Sequence, residues 1–320
     1  MKSTKFLLQT ITLLLILFSS TIFAAETDFN KLLDEAKSGD SEAQYEIALK
    51  YYNGEDTKKD LVQAREWLEK ATSQGNIYAQ IMLGVMYFIG EGGNKDYIKA
   101  IDLLSDPANK GDSFAQGALG TIYLQEDYKD KDYNKAKKWL EEAASQENPE
   151  AQYRLALMYD TGLGVDRDRS KAVEFLEKAV GKNHPAAQGY LGGIYLSDIR
   201  DEGNHKKGLN LLEKAADQND SNAQYLLGVN HYIGIIFGKR DYKKALQYFQ
   251  QSASQGHPAS KSFLGDMYTN GIGVRQDYKK GIAYYKEAAD LGDNSAQFAL
   301  GLIYYYGKGT KKDMSKPRNI

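Results

Sequence analysis

The stretch that decides the fold is AQYRLALMYDTGLGVDRDRSKA, at residues 151–172. Its first dipeptide, Ala-Gln, returns every 36 residues along most of the chain. The anchors are Ala43, Ala79, Ala115, Ala151, Ala187, Ala223, then Ser260 after a one-residue insertion, and Ala296. Self-similarity at a fixed spacing indicates one supersecondary unit that is copied and stacked. The fold is therefore interpreted one unit at a time.

The first half of each unit has the spacing of a helix, here called helix A. Counted from the anchor, position +4 is apolar in every copy, and position +8 is tyrosine except at His231. Positions 0, +4 and +8 share one helix face. Position +5 is glycine in six copies, which costs about 1 kcal/mol in a helix, so we expect a neighbouring helix to approach closely there. Cap residues precede the anchors by three positions, at Asp40, Asn76, Asp112, Asn148, His184, Asp220, His257 and Asp293, and six of them are residue types that favour capping.

A second helix, helix B, is predicted after a short and often glycine-rich connection. Its expected N-caps are Asp60, Asp96, Asp132, Asp168, Asn204, Asp241, Asp277 and Asp313. A small residue and an apolar pair follow each of the first seven caps, and the other face is charged. Two antiparallel helices per unit predict an all-α fold, a right-handed α/α superhelical solenoid of about eight stacked helix-turn-helix repeats with the last one truncated.

The N-terminus has the pattern of a secretory signal. Lys2 and Lys5 precede an apolar run, and the small pair Ala24-Ala25 follows it. This order predicts cleavage after residue 24 or 25 and export, and an uncleaved N-terminal anchor is the alternative. The expected organisation is a signal peptide at 1–24, a capping helix at 26–39 and a repeat array at 40–320. The predicted units are 40–75, 76–111, 112–147, 148–183, 184–219, 220–256, 257–292 and the partial 293–320. The pattern does not distinguish the periplasm from the extracellular medium.

Composition and motifs argue against several classes of function. Basic and acidic residues number 41 and 43, with no block of one sign, so no footprint for nucleic acid is visible. Cysteine is absent, which excludes disulfides and thiolate chemistry. The glycine-rich turns lack a phosphate-loop motif, and no S-x-x-K, G-x-S-x-G or H-E-x-x-H occurs. We expect no catalytic residue, no metal site and no cofactor.

These residues closely resemble the Sel-1-like repeat, a relative of the tetratricopeptide repeat. The family pattern A-x-x-x-L-G-x-x-Y-x-x-G-x-G-V-x-x-D-x-x-K-A is met best from Ala151 to Ala172 and from Ser260 to Gly281. The resemblance implies a non-enzymatic protein-interaction scaffold, and exported bacterial members are associated with signalling, envelope assembly and host contact. Some exported members are labelled β-lactamases, but those tend to be cysteine-rich. A β-lactamase-like hydrolase therefore ranks last among the candidate functions.

An aromatic and aliphatic stripe at positions +2, +6 and +9 of helix A is the candidate partner surface. It comprises Tyr45, Leu49, Tyr52, Ile81, Val85, Phe88, Tyr153, Tyr225, Tyr232, Phe298 and Tyr305. Two interpretations stay open. The stripe is core, because helix A is sandwiched between neighbours, or it lines a concave groove for a protein or peptide, because tyrosine is enriched in binding hot spots. Cell-wall glycan is the alternative ligand.

The C-terminal edge of the array is expected to be incompletely covered. Pro317 stands at the small-residue position of the last helix B, where proline is poorly tolerated. Terminal repeats normally need a polar cap. We therefore expect an edge that is open to a partner or to self-association.

Overall fold

The structure, a computed structural model, describes residues 29–197, 202–234 and 238–310. Those residues form sixteen α-helices and no β-strand. The first eight are α1 (Phe29–Lys37), α2 (Ser41–Asn53), α3 (Leu61–Ser73), α4 (Ile77–Ile89), α5 (Tyr97–Asn109), α6 (Ser113–Tyr123), α7 (Tyr133–Ser145) and α8 (Pro149–Thr161). The others are α9 (Arg169–Gly181), α10 (Pro185–Ser197), α11 (Glu202–Asp217), α12 (Ser221–Ile233), α13 (Tyr242–Ser254), α14 (Pro258–Asn270), α15 (Tyr278–Asp290) and α16 (Asn294–Tyr306). The predicted all-α solenoid is confirmed. Residues 1–24, predicted to be a signal peptide, lie outside the described part.

The residues expected to cap helix A do so in all eight copies. Asp40 Oδ1 accepts a hydrogen bond from the backbone N–H of Ala43 at 2.8 Å, and the Asp and Asn residues of five other copies act alike. His184 and His257 serve as well, because each Nδ1 accepts from the N–H three residues on at 3.2 Å. An imidazole thus replaces the usual carboxylate or amide.

Helix B begins where predicted in most copies, with one correction. Asp60 and Asp96, for example, each accept hydrogen bonds from two backbone N–H groups. Asn204, in contrast, lies inside α11, which begins at Glu202 and has 16 residues where other helices B have 13. The connection before α11 lacks the paired glycines that end the turn elsewhere, and the helix extends toward its N-terminus. Asp313 lies outside the described residues.

The glutamine of each Ala-Gln dipeptide links three helices. Gln116 is buried, and its Nε2 donates to the carbonyl of Ala108 at the end of the preceding helix B at 3.0 Å. Its Oε1 accepts from Nε2 of Gln146, at the end of its own helix B, at 2.8 Å. The same bonds recur around Gln44 and Gln224. The repeat therefore conserves the dipeptide for a reason that periodicity does not reveal, which is to satisfy carbonyls at helix ends.

The glycine at +5 marks the predicted close approach. A Cβ on Gly84 would lie 2.8 Å from Cγ of Leu104 in α5, closer than carbon atoms can pack. Alanine would therefore require the Leu104 side chain or the helices themselves to shift. The glycine costs helix stability but allows two backbones to meet within a hairpin.

The chain divides into two compact units, up to Ala179 and from Val180. In the first unit, α1 packs on α2, and each hairpin from α2 to α7 packs on its successor. Its interior holds the anchor alanines with aliphatic and aromatic side chains such as Phe88 and Leu104. In the second unit, α10 to α16 pack in chain order, and Phe249 is its largest fully buried side chain. Within each unit, successive helical layers therefore bury apolar faces on one another.

Candidate functional site

Most of the candidate stripe in the first unit is interior. Seven of the predicted residues are buried, namely Tyr45, Leu49, Tyr52, Ile81, Val85, Phe88 and Tyr153. The Tyr52 hydroxyl donates to Oε2 of Glu91 in the next repeat at 2.8 Å, and the ring of Tyr45 lies 6.2 Å from that of Tyr78. Burial raises the pKa of both Tyr45 and Tyr52. These side chains join successive helices A, and a ligand would reach them only after the helices separate.

In the second unit the stripe is half-buried. The ring of Tyr225 stacks on the His257 imidazole, with centroids 4.7 Å apart. The Tyr232 hydroxyl donates to Oδ2 of Asp266 at 2.6 Å, and its ring meets Phe263 edge-on at 5.4 Å. Both tyrosines thus contact the following repeat, as their counterparts in the first unit do.

The stripe is exposed on the last described helix. On α16, Phe298 is 70% exposed, and Leu302, Tyr305 and Tyr306 are exposed as well. Together with Asn294, Gln297 and Gly301 these residues line an open groove of about 640 Å³. We call this set the α16 face. It includes two of the predicted residues, Phe298 and Tyr305.

The α16 face is apolar and uncharged. No residue of the sequence NSAQFALGLIYYY carries a formal charge. A Cβ on Gly301 would meet no atom of the described residues within 4 Å, whereas the same position in α4 is filled by Leu104. The helix therefore presents, unoccupied by described residues, the surface that other helices A use to bind a neighbour. Large apolar patches of this kind mark interaction sites.

The sequence analysis did not predict Tyr306 or the buried ion pair of α8. Tyr306 stands at +10, outside the stripe, although the run Tyr304-Tyr305-Tyr306 was a visible signal. In α8, Nε of Arg154 lies 2.6 Å from Oε1 of Glu150, and both side chains are largely buried. The i, i+4 spacing of these two residues is visible in the sequence, but their burial is visible only in the structure.

His231 is a packing residue in this structure. It is buried and stacks on Tyr248 with centroids 5.7 Å apart. Tyr268 stacks on Tyr284 at the equivalent positions, also at 5.7 Å. Burial, with a smaller contribution from the Lys244 ammonium, lowers the pKa of His231. The imidazole therefore substitutes for a tyrosine ring and favours its neutral form.

The described residues also bear on a metal site and on a membrane span. Within residues 29–197, 202–234 and 238–310, no group of three or more His, Asp or Glu side chains is placed to hold a metal ion. Over the same ranges, no helix has the length and hydropathy needed to cross a membrane.

Comparison with known sequences shows the class of protein. The Sel1 repeat family matches residues 41–76, 77–111, 113–148, 149–184, 185–220, 221–257, 258–293 and 294–316. The chain belongs to the Sel1 repeat family, whose members are protein–protein interaction scaffolds and generally non-catalytic. A curated relative, the sel1-like repeat-containing protein L18 of Acanthamoeba polyphaga mimivirus, is 46% identical over 43 residues, which are 13% of this chain and 7% of that protein.

Solved structures with the same fold cover most of the chain. A Sel1 repeat protein from Oxalobacter formigenes has a TM-score of 0.60 and 29% identity, over 94% of this chain and 86% of its own. The protein c5321, a protective antigen present in uropathogenic Escherichia coli strains, has a TM-score of 0.51 and 26% identity, over 91% of this chain and 78% of its own. Human IFIT1, at 14% identity and a TM-score of 0.56 over 94% of this chain and 68% of its own, shares the fold alone.

Proposed function

We propose that this protein is an exported, non-enzymatic scaffold that binds a protein or peptide partner, and that the α16 face is a contact surface. The exposed aromatic face of α16 carries the proposal, because it combines a large apolar area with the absence of charge. Aromatic side chains dominate the energy of protein interfaces. The partner segment that fits this face is apolar and uncharged, since a buried charge would have no counter-ion there.

Export rests on the N-terminal sequence pattern, with Lys2, Lys5 and the small pair Ala24-Ala25 around an apolar run. We further propose a place in the envelope or the secreted fraction and a part in host contact or envelope assembly; the fold neighbour that is a protective antigen present in uropathogenic E. coli strains is the analogy for host contact. N-terminal sequencing of the protein purified from its own cells tests export. We expect the chain to begin at residue 25 or 26, and an intact Met1 would contradict it.

Site-specific photocrosslinking tests the contact surface. A benzoylphenylalanine placed at Phe298 should form a discrete adduct in the native cell. The matched control is the same residue at Tyr78, which is 43% exposed on α4 and does not line the groove of the α16 face. Adducts at both positions, or at neither, would argue against the α16 face. Mass spectrometry of the adduct identifies a foreign protein or a second copy of the chain.

A double variant separates binding from folding. Phe298→Ser with Tyr306→Ser should abolish the partner adduct formed by a probe at Leu302, with little change in Tm, since both side chains are exposed. Sedimentation with purified peptidoglycan checks the glycan alternative. Wall binding that persists in the double variant would place glycan recognition elsewhere.

A further inference from the structure

A polar cleft lies between the first and second repeats, away from the α16 face. It is open, has a volume of about 440 Å³, and is lined by the α3 side chains Arg65 and Glu69, by Tyr87, by Lys99 and by the loop 92–96. All of these residues belong to the first unit. We call it the Arg65 cleft.

The Arg65 cleft results from a two-residue exchange that no other described repeat junction shows. Arg65 stands at +22, where Ile101, Val173, Leu209, Leu246 and Ile282 are apolar and where Lys137 and Arg318 are the other exceptions in the sequence. Gly93 stands at +14, where Val165 and Val274 occupy the best-matching copies. A Cβ on Gly93 would lie 2.4 Å from Nη1 of Arg65. A guanidinium therefore occupies the space that a valine side chain would need.

Arg65 is buried with few partners for its N–H groups. It is 8% exposed, and its guanidinium lies 3.5 Å from the centroid of the Tyr87 ring. Its nearest carboxylate is Glu69, at 4.0 Å from Nε, and that carboxylate already accepts the Tyr87 hydroxyl at 2.9 Å. Arg65 makes no hydrogen bond to any described residue. None of its nitrogen atoms is both fully buried and unpartnered, so its N–H groups open on the cleft, where an acceptor from outside the chain can reach them.

Besides Arg65, the cleft is lined by other cations and by carboxylates. Lys99 Nζ lies 5.0 Å from the same Tyr87 ring and makes no ion pair within the described residues. Three carboxylates, those of Glu66, Glu69 and Asp96, also line the cleft and keep their charge. Asp96 accepts two backbone N–H groups at 3.0 and 3.1 Å and Glu66 accepts from Gln63 at 3.0 Å, whereas the third cation, Lys95, pairs with Asp127 at 3.0 Å. Two cations with free N–H groups thus flank one ring.

We propose that the Arg65 cleft binds a carboxylate, with Arg65 as the bidentate donor and Lys99 as a second cation at the rim. The planar guanidinium fork matches a carboxylate in geometry, and such paired charge-assisted hydrogen bonds are the strong ones. This proposal deepens the proposed function, because the carboxylate belongs to an acidic side chain or to the C-terminus of a protein partner. The guanidinium, held by the ring beneath it, is already in place for binding.

Nuclear magnetic resonance with small probes tests the carboxylate site on the full mature chain. N-acetylglycine supplies a terminal carboxylate, N-acetylglutamic acid α-amide supplies a side-chain carboxylate, and N-acetylglycinamide is the neutral control. Both acids should shift the backbone amide of Asn94 and the Nε–H of Arg65 with saturable millimolar affinity, and the amide should not. The acid that binds more tightly shows whether the partner's carboxylate is a C-terminus or an acidic side chain. Equal shifts from the amide, shifts from inorganic phosphate alone, or no shift from either acid would overturn the proposal.

Variants at matched positions complete the test. Arg65→Gln should weaken binding at least about tenfold, which corresponds to about 1.4 kcal/mol, and the exposed Lys99→Gln should weaken it by a smaller factor with an unchanged Tm. Lys137→Gln, at the same register position and paired with Glu141 at 3.6 Å, should have no effect. The pair Arg65→Leu and Gly93→Val reproduces the combination of Leu246 and Val274 in the sixth and seventh repeats and should fold without binding. Equal losses in Lys137→Gln and Lys99→Gln would overturn the proposal. Crosslinking at Phe298 does not involve this cleft, so either idea can fail alone.

Discussion

The glycine at +5 of helix A offers a sharp test of how the repeats pack. Gly84 and Gly301 occupy the same position in two copies, but only Gly84 is covered by a described helix B. A methyl group at Gly84 would lie 2.8 Å from Leu104 Cγ, and one at Gly301 would meet no described atom within 4 Å. We therefore compare Gly84→Ala with Gly301→Ala, the same chemical change in two environments.

The magnitude follows from two opposing terms. Replacing glycine by alanine inside a helix gains about 1 kcal/mol from propensity. Forcing a methyl into a packed interface costs about 1–3 kcal/mol. Gly301→Ala should stabilise α16 by up to about 1 kcal/mol, whereas Gly84→Ala should be neutral or destabilise α4 by up to about 2 kcal/mol. The propensity gain cancels in the difference, which measures the packing cost alone.

Hydrogen exchange read by mass spectrometry is the appropriate assay, because repeat arrays open locally and a single melting curve mixes all copies. Peptides covering residues 77–89 and 294–306 report the opening free energy of each helix. An equal gain of stability in both variants would refute the close approach of α4 and α5. A loss of stability in α16 as large as that in α4 would show that another element covers Gly301.

Three further outcomes are expected. Phe88→Ala should lower the free energy of unfolding, measured in urea, by about 3–5 kcal/mol, because the ring is buried. A much smaller loss would indicate that the ring is accessible to a partner. His231→Tyr should flatten the pH dependence of stability. The folded-state pKa of His231 is lowered, so the stabilising effect of its neutral ring is complete above the unfolded pKa of about 6.5 and is lost as the pH falls. Melting curves between about pH 5 and pH 8 bracket that value. Identical pH dependence in both proteins would contradict the prediction. Arg154→Met should cost about 3 kcal/mol by leaving the Glu150 carboxylate buried without its cation, and adding Glu150→Met should restore most of it; no recovery would show that the pair stabilises the fold directly.

The candidate stripe shows what the repeat spacing can and cannot predict about these residues. Tyr52 and Tyr305 stand at the same position of helix A, so the repeat spacing predicts the same environment for both. In the structure Tyr52 donates to Glu91 of the next repeat, whereas Tyr305 is exposed on α16. The difference comes from what packs on each helix, and a repeat pattern contains no information on its neighbours in space.

The sequence by itself determined the class of fold, the order of helices, their caps and the family, because each of these depends on residues close together along the chain. Helix caps need a side chain three positions before the N–H that it accepts, and an amphipathic helix needs only its own spacing. Only the tertiary structure decided that most of the stripe is interior, that α16 presents an apolar face, and that Arg65 takes the place of a valine opposite Gly93. Those facts depend on contacts between separate repeats, where one exchanged pair of residues turns an apolar junction into a charged cleft.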